Sequence, residues 1–198
     1  IEETARDAVE LAKAALHIFH QIALANKVYH KLLHSDAFSH QTYYMGLVDE
    51  RRRLNFYDCV VRVVDPEGKE FAAFGAGEYL DHLEERVEGS TYQKILYLKN
   101  VGWKGFVDGK ESGVYRVGPL ARLNAAEGMA TAGAQAALEQ MFDALGGRPV
   151  HNTFAYHWAR LVEILYAAER MCELSSDKRI TDPKIRNLPT ETPVEGMG

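Results

Sequence analysis

Apolar residues along the first part of the chain recur at helical spacing. Val9, Ala12, Leu16, Phe19 and Ala23 step by three and four, and Val28 and Leu32 continue the pattern. No Gly or Pro interrupts them, so the pattern predicts one long helix over residues 1–34. Residues 35–55 read as a polar transition, with Arg51-Arg52-Arg53 as a solvated or partner-facing run rather than an anion site. From Phe56 the pattern becomes strand-like. Val60, Val61, Val63 and Val64 precede the turn sequence Asp65-Pro66-Glu67-Gly68, and Lys69 to Phe74 returns, which predicts a hairpin. Tyr79, Leu80, Leu83 and Val87 suggest a short helix. Val101 to Val107 and Ser112 to Val117, joined across Asp108-Gly109, suggest a second hairpin.

Helical spacing returns after Asn124. Thr131 can cap a helix through Ala134, Leu138, Met141 and Phe142, which Gly146-Gly147 stops. Asn152 can cap a last long helix. There Phe154, Trp158, Leu161, Leu165, Ala168 and Cys172 form a seam suited to packing on another helix. Asp182-Pro183 has the chemistry to start a further short helix ending near Asn187. The expected fold is mainly α with a small β insertion (α+β): long antiparallel helices of a bundle core plus one or two β-hairpins. The expected division is a long helix 1–34, a β-containing insertion 56–117 and a helical part 125–188, all within a single segment 1–198.

Composition narrows the function classes. A net charge of −5 and a pI near 5.9 argue against a general nucleic-acid binder. No apolar run approaches the roughly 18 residues of a membrane span, and no signal segment opens the chain. Cys59 and Cys172 are the two cysteines, far apart, and read as small buried hydrophobes in a reducing, cytoplasmic setting. The start at Ile1, inside a helical pattern, and the stop at Glu195-Gly196-Met197-Gly198 lead us to expect a piece of a longer protein.

Eight histidines invite a metal reading. His30 and His34 share a helix face, with Asp36 and His40 beyond them, and zinc accepts such ligands. No Glu follows His30, so this is not an HExxH helix, and the plainer reading is solvated histidines at a polar helix end. His17 and His20, beside Phe19, read as mixed packing. His157, within two turns of Arg160 and Glu163, could shuttle protons, but a hydrogen-bonded interior histidine is the simpler reading. No GxGxxG, phosphate loop or GxSxG turn is present. The residues therefore assign no catalytic, cofactor-binding or metal site.

One stretch is more specific than the rest. Tyr115 to Asn124 reads YRVGPLARLN, a strand-like run turning at Gly118-Pro119 with Arg116 and Arg122 on either side. It resembles the same-phrased segment of nickel–iron hydrogenase large (alpha) subunits of the soluble, cytoplasmic type. Arg148 to Glu163, followed by Ile-Leu-Tyr-Ala-Ala-Glu169, resembles that family's next signature helix. Tyr43 to Asp49, Asn55 to Asp58 and Val63 to Gly68 resemble its upstream blocks, in order.

The resemblance implies the central structural segment of such a subunit, within a complex that oxidises H2 reversibly and passes electrons to a small subunit carrying iron–sulfur clusters. The acceptor would be NAD(P), F420 or a heterodisulfide reductase partner. The nickel–iron centre of the full-length parent is held by two CxxC motifs, and neither is present here. Cys59 and Cys172 match no ligand position, so the fragment is expected to hold no cofactor and to be inactive alone. With its packing partner missing, the Phe154–Trp158–Leu161 seam would be exposed and favour self-association. Two alternatives stand beside this reading: a stand-alone helical interaction module, and a small zinc protein using His30, His34 and His40.

Overall fold

The computed structural model describes residues 1–57 and 59–184. Helix α1 (Glu2–Ile18) runs into a π-helical turn over Phe19–Leu24, and α2 (Lys27–Leu33) then starts afresh. The expected single helix over 1–34 is thus corrected to a jointed arm. The cause is Asn26, whose backbone is extended and whose Oδ1 accepts from the amides of Val28 and Tyr29 at 3.0 and 3.1 Å. An Asn side chain that caps its own downstream amides competes with the continuous helix.

The next element overturns the fold class. Tyr43–Val48, read as part of a polar transition, is strand β1. It pairs antiparallel with β2 (Val60–Val64), which pairs with β3 (Glu70–Gly75), and it pairs in parallel with the two-residue β6 (Tyr115–Arg116). The sheet order is β3-β2-β1-β6. The expected hairpin at 60–74 is formed. Its turn is held by Asp65 Oδ1, which accepts from the amides of Glu67 and Lys69 at 2.9 Å each, and Gly68 takes a φ of +80°. Downstream, α3 (Tyr79–His82) is a single turn, and Leu83–Val87 is strand β4, paired with β5 (Lys94–Leu98).

Val101–Val107 and Ser112–Val117 do not form the expected second hairpin. The Gly109 amide goes instead to the carbonyl of Gln41, at 2.8 Å. Arg52 and Arg53 of the arginine run form ion pairs within the chain, to Glu70 and to Asp49.

The first helix after β6 lies on this sheet, and the next two pack on other helices. Helix α4 (Pro119–Ala125) crosses β1 so closely that a Cβ on Gly46 would sit 2.8 Å from the Arg122 Cα. Helix α5 (Ala132–Ala144) begins at Thr131, but its first amides are capped from another helix. Glu169 of α6 (Ala155–Ser175) accepts from the amides of Gly133 and Ala134 at 3.1 and 3.0 Å. Gly146 and Gly147, both at positive φ, end α5 as expected. Asn152 is not the cap residue of α6. Its Oδ1 accepts from the Phe154 amide, and its amide group donates to the carbonyls of Leu32 and Ser35, tying α6 to the end of α2.

Both faces of the sheet are buried. Tyr44 and Val64 pack with Ala121 of α4, while Tyr43, Val63 and Phe74 pack with Leu98 of the β4–β5 hairpin. The expected bundle with a peripheral insertion is therefore corrected to an α/β arrangement, because the sheet lies inside the core. The α6 seam is covered as well. Ala12 and Leu16 of α1 share one core with Trp158, Leu165 and Ala168, and Phe19 packs against it, so the seam expected to be exposed is covered from within the chain.

Asp177 caps a short 3₁₀ turn at Lys178–Thr181, and Asp182 accepts from the Lys184 amide. The rest of the short helix expected to end near Asn187, the Glu195–Gly198 stretch, and Asp58 of the Asn55–Asp58 block lie outside the described residues. Among the described residues no helix is long and apolar enough to cross a membrane.

Candidate functional site

The corner at Gly118-Pro119 organises the polar chemistry of the molecule. Gly118 has a φ of +89°, a region that favours glycine, and Pro119 occupies the first turn of α4. A Cβ at Gly118 would meet the Tyr156 ring at 3.3 Å, and the Tyr156 hydroxyl donates to the Val117 carbonyl at 2.9 Å. The corner is thus seated against the start of α6.

Three polar side chains of the motif then grip the segment 150–163. The Arg116 Nη1 donates to the His151 carbonyl at 2.8 Å. The Asn124 carboxamide pairs with both backbone groups of Val150, donating at 2.8 Å and accepting at 3.0 Å, as a strand neighbour would. Arg122 donates through Nε and Nη2 to the two oxygens of Glu163, at 2.7 and 2.6 Å. The Glu163 side chain is 9% exposed, so this is a largely desolvated fork-to-fork pair, and the carboxylate holds the Arg122 guanidinium above its ordinary value. The Arg122 guanidinium also lies 5.5 Å from the Phe56 ring centroid. Sequence spacing suggests none of these bonds, although Arg122 and Glu163 each stand out in it as polar candidates.

A second buried pair sits beside Arg116. Strand register places Tyr44 opposite Arg116, and the Tyr44 hydroxyl lies 2.5 Å from His151 Nδ1. Neither residue stands out in the sequence, because nothing local links positions so far apart. Burial, and then the Arg116 charge, push the His151 imidazole below its ordinary value, while burial raises the Tyr44 hydroxyl. The unfolded chain therefore binds the His151 proton at higher pH than the folded chain. Stability from this group is present above about pH 6.5 and is lost as pH falls through the lowered folded value. Urea midpoints measured between pH 7.5 and pH 5 should fall with pH, with a smaller fall in His151→Gln; an unchanged profile in that variant would remove His151 as the cause.

The histidines proposed for zinc do not converge. The His30 and His34 rings stack with centroids 4.2 Å apart, and the two His34 nitrogens lie near the carbonyls of His30 and Ala144. His40 instead lies 3.5 Å from Asp108. Among the described residues, no three His, Cys, Asp or Glu side chains gather to hold a metal ion. His157 is exposed, which corrects the interior reading. His20 does pack, with its ring centroid 5.1 Å from that of Trp158.

No protein-family model matches the chain. Relatives are found among the subunits of hydrogenases. The chain is 42% identical, over all 198 residues, to the iron-sulfur subunit of the F420-non-reducing hydrogenase of Archaeoglobus profundus, and spans 40% of that protein. It is 39% identical over 73% of its length to a vhu subunit of the F420-non-reducing hydrogenase of Methanococcus voltae, spanning 32% of it. It is 34% identical over 78% of its length to the NAD-reducing hydrogenase HoxS subunit beta of Cupriavidus necator, spanning 30% of it. A crystal structure of an NAD+-reducing NiFe-hydrogenase in the H2-reduced state superposes on 89% of this chain and 37% of its own, with a TM-score of 0.75 and 30% identity.

These matches correct part of the sequence reading. The motif blocks resemble those of a large, alpha subunit, but the relative matched along the whole chain is named for iron and sulfur, while the HoxS relative is named subunit beta. The nickel large-subunit function is withdrawn with that assignment. So is the expected partner, a small iron–sulfur subunit, since the iron–sulfur designation falls on this chain's own relative. The matches also set aside the stand-alone helical module.

The residues of this chain do not fit an iron–sulfur cluster. Such clusters take about four thiolate ligands. This sequence holds Cys59 and Cys172 alone, one ahead of β2 and the other late in α6.

Proposed function

We propose that this chain is one segment of a hydrogenase subunit, working inside an oxidoreductase complex that splits H2 into two protons and two electrons. The observation that carries the reading is the 42% identity along its whole length to a hydrogenase subunit of which it spans 40%. Residues 1–198 form a scaffold within that subunit. The Arg122 pair clasps the motif corner to α6, and the Arg116 and Asn124 bonds clasp it to the segment that leads into α6, so the two most specific sequence blocks are the two halves of one contact. The described residues gather no metal-binding group, and the segment alone is expected to turn over no hydrogen. We infer a cytoplasmic setting for the complex, a reading supported by the likeness to an NAD-reducing hydrogenase subunit and by the lack of a membrane-crossing helix among the described residues.

A chimera tests the proposal. When this sequence replaces the matched stretch of the Archaeoglobus profundus protein, the assembled complex should retain H2-driven reduction of a viologen dye. Loss of that reduction in a complex that still assembles and still carries its metals would overturn it.

A further inference from the structure

Arg116 faces a cleft that the clasp does not fill. The cleft has a volume of about 280 Å³ and is lined by His40, Thr42, Phe106, Asp108 and Arg116, with Val107 and Val114 beside them. Strand register explains the grouping. Tyr43 and Tyr44 lie opposite Tyr115 and Arg116, so Thr42, just ahead of β1, sits at the end of the same strand pair and lines the cleft together with Arg116.

Three features of this cleft are unspent. The Arg116 guanidinium makes one hydrogen bond, to the His151 carbonyl, and has no carboxylate partner among the described residues. Thr42 is 6% exposed, and its hydroxyl has no hydrogen-bond partner among the described residues. A buried hydroxyl left unpaired is costly, and a turn about its Cα–Cβ bond can aim it at a group entering the cleft. At the rim, Phe106 and Val107 are 73% and 45% exposed, next to the half-exposed His40–Asp108 pair.

We propose that this cleft binds a carboxylate group. The guanidinium fork matches the two oxygens of a carboxylate, and the Thr42 hydroxyl supplies a third donor. A single negative charge suits the site better than a phosphate dianion, because Asp108 stands at the rim and repels added charge. Phe106 and Val107 take the short apolar part next to the carboxylate. The group can belong to a small organic acid or to a Glu side chain on a peptide segment, and the site needs the same donors for both. This assignment is independent of the hydrogenase reading.

The test is an NMR titration of the full 198-residue chain at constant chloride. One arm uses sodium propionate, and the other uses acetyl-Ala-Glu-Ala-amide with its Gln counterpart as control. The Arg116 Nε–H and Thr42 amide signals should shift saturably, with a midpoint in the range of about 1 mM, a single-contact affinity. Arg116→Lys should weaken binding about tenfold and Thr42→Val several-fold, and Asp108→Asn should strengthen it. Tighter binding of the Glu peptide identifies a protein-borne carboxylate, and tighter binding of propionate a free acid; either supports the site. Shifts that stay linear with both ligands overturn it. So does an equal response to sodium sulfate, or a saturable response unchanged in both Arg116→Lys and Thr42→Val.

Discussion

Trp158→Ala should lower stability by about 4 kcal/mol, in the range found for deleting a buried tryptophan, and depress the melting temperature by about 10 °C for a chain of this length. Trp158 is 2% exposed and lies at the junction of α1, the π-helical turn and α6, with ring centroids 5.6 Å from Phe19 and 5.1 Å from His20. Truncation removes the largest side chain of the contact between the N-terminal arm and α6, and it leaves a cavity between helices whose axes are fixed elsewhere. Trp158→Phe should cost far less, about 1 kcal/mol. The Trp158 indole N–H is buried without a partner among the described residues, so losing it offsets part of the lost packing. Urea denaturation of both variants checks the pair. Equal losses would mean that the volume of the ring is not what matters there.

The Arg122–Glu163 pair should behave in the opposite way, as a contact that is costly to break by halves. Arg122→Met leaves the Glu163 carboxylate, 9% exposed, without its ion-pair partner, and should cost about 3 kcal/mol. Glu163→Met strands the guanidinium, whose side chain is 28% exposed and so still meets water, and should cost less. The double variant Arg122→Met/Glu163→Met should recover most of the loss, because an apolar pair of similar volume needs no charge compensation. A double-mutant cycle read by denaturant midpoint gives the coupling. Simple additivity of the two single losses would show that the ion pair is not the bond that holds α4 to α6.

Which parts of this architecture can be read from the chain follows from how local their causes are. The β2–β3 turn is legible because Asp65, Pro66 and Gly68 carry its geometry themselves. The end of α5 is legible because Gly146 and Gly147 supply the positive φ that a helix stop needs. Strand β1 is not. Tyr43 faces the β4–β5 hairpin and Tyr44 faces α4, so both sides of the strand are apolar and no alternation marks it.

Asp108-Gly109 looks like a hairpin turn, yet the Gly109 amide serves a strand-end carbonyl at Gln41. The break at Asn26 is visible in principle, since Asn before a helical run is a start signal, but the unbroken apolar spacing hides it. At the candidate site the residue types are legible and their partners are not. Arg122 and Glu163 lie 41 positions apart, and Tyr44 and His151 lie 107 apart. Those pairings come from the sheet register and the α4–α6 crossing, which no spacing rule contains. His157 reads as interior because its neighbour Trp158 is buried, while one step round the helix the side chain meets water.

The N-terminal arm has a consequence for the order in which the molecule is made. The Tyr29 hydroxyl donates to the Phe154 carbonyl 125 positions later, and Asn152 holds the Leu32 carbonyl 120 positions earlier. Ala12 and Leu16 find their cover only when α6 has been synthesised. At about 5–20 residues per second, the arm therefore spends on the order of ten seconds on the ribosome with its apolar face unpaired. Closing so long a loop costs entropy that only the finished α6 contact offsets, so folding of this chain is gated by its last long helix rather than begun by its first.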